Sequence, residues 1–155
     1  MKSPWSVLLF IALTVLTSCE KTVVTGGKDT QLKNLGAVEV TARLVEVPAG
    51  AIFQRDLYDY AAILKYEVVM VHRGALHKGE IIYVGHYNPW KMRSEAADKR
   101  VKMVGGNLRE FRGGELHHMA LETPMDDCYM GGIVDKYFGK HSGPVYWAVW
   151  TDGTN

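Results

Sequence analysis

The amino-acid sequence predicts a small, mainly β domain of five strands with one or two short helices, preceded by an export signal. Three observations predict this fold class. Apolar and polar residues alternate with a period of two in several segments, which is typical of half-buried strands. Glycine or proline bounds these segments, as expected at strand ends. The length of 155 residues, with 47% apolar and 23% charged residues, suits one globular domain.

The N-terminus is predicted to be an export signal rather than part of the folded domain. Residues 1–18 contain a single base, Lys2, and an apolar run from Trp5 to Leu16. This run fits the ~7–15-residue core of a secretory signal peptide and is shorter than the ~20 residues that cross a bilayer as a helix. Residues 19–34 are mostly polar, so we expect a flexible tether ahead of a domain spanning 35–155.

The end of the apolar run carries a specific motif. It reads Leu16-Thr17-Ser18-Cys19, with a small residue directly before the cysteine. This ending resembles the lipobox of bacterial lipoproteins. The resemblance implies cleavage before Cys19 and lipidation of Cys19 with diacylglycerol and acyl chains such as palmitate. Two or three chains anchor a protein stably in a membrane, so the expected location is a membrane of the envelope, on its periplasmic side or at the outer membrane and cell surface.

Three strands are predicted in the first half of the domain. Residues 38–47 alternate between apolar and polar side chains, and a slip in the pattern at Leu44-Val45 indicates a bulge. Residues 60–72 form a longer strand, and residues 80–87 follow after a turn that contains glycines. In the second strand the side chains expected to face inward are those of Leu64, Tyr66, Val68 and Met70.

A change of period predicts a helix over 94–104. Ser94 is a capping residue, acids come early and bases late, and Ala97, Val101 and Val104 fall on one apolar stripe. Two more strands are predicted at 115–122 and 145–151, with a second short helix around 132–138 between them. Each proline after the signal lies at a proposed strand edge, which supports these boundaries.

This order of elements resembles the OB-fold, a small Greek-key β-barrel. The segment from Tyr66 through Gly74 into 80–84, together with Gly114 before the next apolar strand, is similar to netrin-like and metalloproteinase-inhibitor-like modules. The resemblance implies a β-barrel module. The cysteine framework of the secreted animal members is absent. Their inhibitory mechanism, in which a free N-terminal cysteine amine binds zinc, does not carry over to an acylated Cys19.

Composition excludes several classes of protein. The 18 basic and 17 acidic residues give a net charge of +1, and removal of Lys2 with the signal balances the charges. The chain therefore has no overall positive charge that would attract nucleic acid. Export from the cytoplasm also disfavours nucleic acid as a partner. The two cysteines are too few for a disulfide-dense scaffold or a four-cysteine zinc site.

The most suggestive surface feature is a basic segment in this neutral chain. Between residues 88 and 112 bases outnumber acids, and a tryptophan follows Pro89. A solvated helix face would explain the same charges. An aromatic ring beside bases can also stack on sugars or anchor a protein interface. We therefore predict a non-catalytic binding or scaffolding module for an envelope protein or an acidic polysaccharide, held by Trp90, Lys91, Arg93, Lys99 and Arg100.

Six histidines leave open an alternative, a metal-dependent envelope hydrolase. Adjacent His117 and His118 should point to opposite faces of a strand. One of them with His86 and a carboxylate from Asp126 or Asp127 could bind an ion, and His86, His118 and Asp126 are the alternative ligand set. No HxH or HExxH spacing, GxSxG motif or phosphate loop is present, so we expect no cofactor and favour a protein without catalytic activity.

The remaining thiol, Cys128, is a poor candidate nucleophile. Asp126 and Asp127 directly precede it. Like charge raises the pKa of an acid, so these aspartates should disfavour the reactive thiolate. The sequence predicts a structural or incidental thiol at this position.

Overall fold

The computed structural model describes residues 32–54 and 58–154, which fold into a mainly β, OB-like barrel. The predicted signal peptide, Cys19 and nearly all of the tether lie outside the described residues. No helix within the described ranges is both long and apolar enough to cross a bilayer. The strands are β1 (Val38–Glu46), β2 (Ala61–Arg73), β3 (Ile81–Tyr87), β4 (Leu116–Glu122), β5 (Ile133–Val134) and β6 (Val145–Gly153).

Closure of the barrel follows from the pairing of β1 with both β2 and β4. Around the wall the order is β1, β4, β6, β3 and β2, and the contact between β2 and β1 completes the circle. The neighbours in this wall are antiparallel except β3 and β6, which are parallel. The short β5 pairs with the start of β2. Closure protects the backbone donors and acceptors that an open sheet would expose at its edges.

The period-two prediction for β1 is confirmed. Val40, Ala42 and Leu44 are fully buried, while the side chains between them are more exposed. The predicted bulge is present, because the register between β1 and β2 shifts after Leu44. The other four long strands also fall within a residue or two of their predicted bounds.

The predicted inward orientation of Met70 is wrong. In the register between β1 and β2, Ala42 lies opposite Val68 and Thr41 lies opposite Met70, so Val69 is an extra residue on β2. An extra residue shifts the alternation of a strand by one position. The side chain of Met70 is therefore 55% exposed.

The helix predicted over 94–104 is also wrong. A single 3-10 turn forms at Arg93–Glu95, and the rest of the segment is loop. Oδ1 of Asp98 accepts the backbone N–H groups of Arg100 at 2.7 Å and Val101 at 2.8 Å. This side-chain turn competes with helical hydrogen bonding. The helix predicted around 132–138 is wrong too, because β5 and a following turn occupy that segment.

Two apolar clusters hold the domain together. The larger lies inside the barrel and takes side chains mainly from β1, β2, β3 and β4. The smaller joins β2, β3 and β6 to three loops, which connect β3 to β4, β4 to β5 and β5 to β6. Its buried members are Ala61, Ile63, Tyr87, Ala96, Val104, Met125, Tyr137 and Trp147. Burial of a large apolar side chain contributes ~1.5–3 kcal/mol, so these three loops are held against the barrel.

Candidate functional site

Arg93, a predicted ligand residue, is buried in the domain and 3% exposed. Its guanidinium donates to the carbonyls of Tyr87 at 2.7 Å, Asn88 at 2.5 Å and Lys91 at 3.0 Å. It also lies 5.1 Å from the ring of Phe111. Burial lowers the pKa of Arg93 to about 10, so the side chain keeps its charge at neutral pH. Its prediction as a surface residue is therefore wrong: Arg93 organises the loop that follows β3.

Trp90 and Lys91 are half-buried and engaged with their own domain. The Nζ atom of Lys91 lies 4.6 Å from the centroid of the Trp90 ring and 3.7 Å from Oδ1 of Asp59. Asp59 belongs to the connection between β1 and β2. The lysine therefore links two loops, and part of its charge is neutralised within the domain.

The bases farther along the segment are more accessible. Lys99, Arg100 and Lys102 are exposed, and none of them forms an ion pair with any described residue. The side-chain turn at Asp98 fixes the main chain from which they project. Of the predicted ligand residues, Lys99 and Arg100 thus keep their charge available to a partner.

Arg100 stands at the junction of two adjoining cavities of about 250 and 400 Å³. Both cavities are lined by Arg100, Val101 and Cys128, and together they are named the Arg100 groove. One wall is the loop that carries residues 100–103, and the other is the loop that carries residues 128–132. The remaining lining residues include Leu35, Asp59, Tyr87, Lys102, Met103, Glu122, Tyr129, Met130, Trp147 and Val149.

An aromatic cluster supports the Arg100 groove. The rings of Tyr129 and Trp147 stack with centroids 5.0 Å apart and planes 9° from parallel. The ring of Tyr87 lies 5.4 Å from that of Tyr129 and 6.4 Å from that of Trp147. The Tyr87 hydroxyl donates to Asp98 at 2.6 Å. The turn that precedes Arg100 is therefore tied to the aromatic cluster.

Local sequence explains how the second wall reaches the barrel. Met125 is 2% exposed and packs against β3 at Gly85. A Cβ atom at Gly85 would lie 2.5 Å from the sulfur of Met125, so a larger residue there would displace the methionine side chain. The N–H groups of Cys128 and Tyr129 then donate to the Met125 carbonyl at 2.8 and 3.0 Å. One buried methionine thus places the stacking tyrosine.

Two methionines are strongly exposed at the groove, one on each wall. Met103 is 70% exposed and Met130 is 95% exposed. Methionine side chains are unbranched and polarisable, which suits surfaces that adapt to a partner. Because Arg100 and Lys102 alternate with Val101 and Met103, this wall presents basic and apolar side chains side by side.

Cys128 lines the groove without being activated. Burial raises the pKa of its thiol, and the carboxylates of Glu122 and Asp127 raise it further. The thiol is therefore protonated at neutral pH, in the direction that the sequence predicts. A thiolate nucleophile has no support in this environment.

The alternative metal ligands His86, His118 and Asp126 are not brought together. His86 is buried inside the barrel, His118 lies on its outer surface, and Asp126 is in an exposed turn after β4. The opposite orientation of His117 and His118 is confirmed, since His117 is buried and His118 partly exposed. Because of this alternation, His118 points to the outside of the barrel, away from the buried His86.

His86 and His117 instead meet at a tyrosine inside the barrel. The Tyr66 hydroxyl lies 3.1 Å from Nε2 of His86 and 3.1 Å from Nδ1 of His117. Burial lowers the pKa of both histidines, to about 4 for His117, and the charge of Arg93 lowers that of His86 further. Both rings are neutral at pH 7. The sequence predicted the inward position of Tyr66, but its partners depend on the register of three strands.

A larger cavity, about 790 Å³, lies beside residues 107–110 and the end of β6. Its arginines are largely engaged within the domain. Arg112 donates to Glu110 at 2.7 Å and lies 3.9 Å from Glu115, while Arg43 donates to the carbonyl of Gly114 at 2.9 Å. The Arg100 groove, with exposed apolar side chains and unpaired bases, is the stronger candidate site.

Comparisons with protein-family models, with curated proteins and with solved structures find no match for this chain. A function for the Arg100 groove therefore has to be inferred from its residues.

Proposed function

We propose that this protein is a membrane-anchored lipoprotein of the bacterial cell envelope, and that its domain is a non-catalytic binding module. The Arg100 groove holds a segment of an envelope protein that presents an apolar side chain beside acidic residues. The observation that carries the proposal is the pair of exposed methionines, Met103 and Met130, on the two walls of a groove in which Arg100 and Lys102 form no ion pair with any described residue.

The chemistry of the groove favours a protein partner over an acidic polysaccharide. Trp147 is 2% exposed and Tyr129 is half-buried, so neither ring offers an open face for stacking on a sugar. The methionines offer apolar area, which stabilises a complex by ~25 cal/mol for each Å² buried. Arg100 and Lys102 would select an acidic partner and accelerate its association.

The position of the groove in the fold also supports binding. OB-type barrels often bind ligands at the loops that join their first two and last two wall strands. In this chain Asp59 lies in the first of these connections and Tyr129 and Met130 in the second. A fold alone does not determine function, so the side chains of the groove carry the assignment.

The membrane anchor is tested at the cysteine. Wild-type protein, Cys19→Ser and Cys128→Ser would be produced with the intact N-terminus in cells fed a clickable fatty acid. We expect the wild type and Cys128→Ser to carry the label and fractionate with membranes, because acylation requires the Cys19 thiol. Cys19→Ser should lose both properties. Labelled, membrane-bound Cys19→Ser would contradict the anchor.

The groove is tested by capture of partners from the native envelope after chemical crosslinking, followed by direct binding of the purified partner. We expect Arg100→Glu and the double variant Met103→Ala/Met130→Ala to weaken binding at least tenfold, about 1.4 kcal/mol. Met70→Ala is the matched control, because Met70 is exposed on β2 and does not line the groove.

The outcomes separate the possible partners. A protein bound equally by all these variants would refute the groove as its site. Retention on an immobilised anionic polysaccharide that is lost in the same groove variants, without a protein partner, would assign the groove to a glycan instead.

A further inference from the structure

Outside the Arg100 groove, three side chains with metal-binding chemistry meet on the outer surface of the barrel. Glu39 on β1, His72 on β2 and His118 on β4 each offer a ligand atom, and these atoms lie within 4.8 Å of one another. We propose that Glu39, His72 and His118 bind a divalent transition-metal ion, for which zinc is the best fit.

The closure of the barrel assembles this cluster from residues that are far apart in the chain. β1 lies between β4 and β2, with Thr41 opposite His118 and Glu39 opposite Arg73. A register shift makes His72 an extra residue on β2, and its ring turns to the face of Thr41. The Oγ1 atom of Thr41 lies 2.9 Å from Nε2 of His72.

The carboxylate of Glu39 is held in a defined orientation. Arg73 donates to its Oε2 at 3.0 Å, while its Oε1 lies 2.9 Å from Nε2 of His118. Arg73 is itself held by the carbonyls of Leu32, Leu35 and Gly36. Carboxylates that bind metals are commonly oriented by a second hydrogen bond of this kind. Oε1 is thus directed at the imidazole, where an ion would lie.

The burial of Glu39 supports a role for this carboxylate. It occupies an outward-facing position of β1, yet it is 6% exposed. Loss of solvation by a carboxylate is unfavourable unless nearby positive charge or hydrogen bonds offset it. Arg73 offsets part of this cost, and an ion on Oε1 would offset more.

The two imidazoles are close enough to share an ion. Their ring centroids are 4.6 Å apart. His72 is exposed and His118 is partly exposed, so an ion can reach both rings from solvent. Neutral imidazole is the form that binds metals. Binding would replace the contact of 2.9 Å between Nε2 of His118 and Oε1 of Glu39 with bonds from these atoms to the ion.

The ligand set determines the class of metal. Two imidazoles and one carboxylate bind zinc in sites that keep an open position, and related sets bind other transition metals. Magnesium and calcium prefer oxygen ligands and should bind poorly. His72 is exposed, so water or a partner's side chain can reach the remaining coordination position.

Zinc titration of the detergent-solubilised, lipidated full chain tests the proposal, with a chromophoric chelator as competitor. The titration uses a Cys128→Ser background to remove the thiol. We expect one equivalent of zinc to bind. His72→Ala and His118→Ala should each weaken zinc binding by ~10–100-fold or more. Loss of a hydrogen bond that supports a ligand already has an effect of that size in known sites. His77→Ala, at an exposed histidine outside the cluster, should bind as the parent does.

Several results would overturn the site. They are the absence of stoichiometric zinc binding, equal affinity in His72→Ala, or equal loss in His77→Ala. The exposed position of His72 makes its replacement compatible with folding, which a thermal melt without metal would check. Glu39→Gln gives a second comparison, because it keeps the shape of the side chain and removes its charge. Partner capture at the Arg100 groove is an independent measurement, so either proposal can fail alone.

Discussion

Buried polar side chains inside the barrel depend on one tyrosine. A phenolic hydroxyl can donate one hydrogen bond and accept another, so Tyr66 can serve His86 and His117 when one ring accepts and the other donates. Within the described chain, Nδ1 of His86 and Nε2 of His117 have no hydrogen-bond partner. The Tyr66 hydroxyl is therefore the side-chain partner on which both rings rely.

Removing that hydroxyl tests its role. We expect Tyr66→Phe to lower the free energy of unfolding by about 2–4 kcal/mol, because two buried ring nitrogens lose their partner. Denaturant titration measures this change. Tyr58→Phe is the control, since Tyr58 is 63% exposed and its change should stay within about 0.5 kcal/mol. A Tyr66→Phe variant as stable as the control would show that the hydrogen bonds contribute little.

At the level of elements, the loop that carries Arg100 is fastened to β6 by a pair of glycines. The N–H of Gly105 donates to Val149 and its carbonyl accepts from Thr151, both at 3.0 Å. Gly106 has a φ of +131°, and a Cβ atom there would lie 1.9 Å from the carbonyl oxygen of Thr151. These glycines thus allow the loop to run directly against a strand.

Because of this contact, a methyl group added at Gly106 should strongly destabilise the domain. Gly106→Ala should cost about 4 kcal/mol or more, because both backbones would have to move. Gly114→Ala is a matched control with a φ of +87° and no atom within 4 Å of the added Cβ. It should cost only the ~1–2 kcal/mol of left-handed strain. Equal losses in thermal or denaturant unfolding would contradict close packing at Gly106.

The whole molecule should lose stability in mild acid. Burial holds His86 and His117 neutral, with the pKa of His117 at about 4, whereas an unfolded histidine takes up a proton near pH ~6.5. Arg93 opposes protonation of His86 as well. Between these values the unfolded chain binds more protons than the folded one. Stability is therefore complete above pH ~6.5 and falls as the pH drops toward about 4.

Denaturant titration across this pH window measures the effect. Each buried histidine should contribute a slope of up to ~1.4 kcal/mol per pH unit. His77→Ala, which removes an exposed histidine outside the buried pair, is the control variant. A free energy of unfolding that stays constant between pH ~6.5 and ~4.5 would show that the buried pair does not titrate on unfolding.

The sequence by itself determined most of the barrel wall. Strand positions follow from a period of two and from glycine and proline at the ends, and both features are local in the chain. For the same reason it predicted the opposite faces of His117 and His118 and the bulge after Leu44. It failed at 94–104, where the side chain of Asp98 turns a loop that buries Ala96 and Val104 and leaves Ala97 of the predicted stripe exposed.

Only the tertiary structure decided which residues meet. The burial of Arg93 depends on carbonyls that the loop after β3 turns toward its guanidinium. The meeting of Glu39, His72 and His118 depends on bulges and on closure of β1 between two strands. The face to which each side chain of a strand points follows a local, periodic pattern, whereas contacts between strands depend on their register. A single extra residue changes that register without disturbing the apolar pattern on either side.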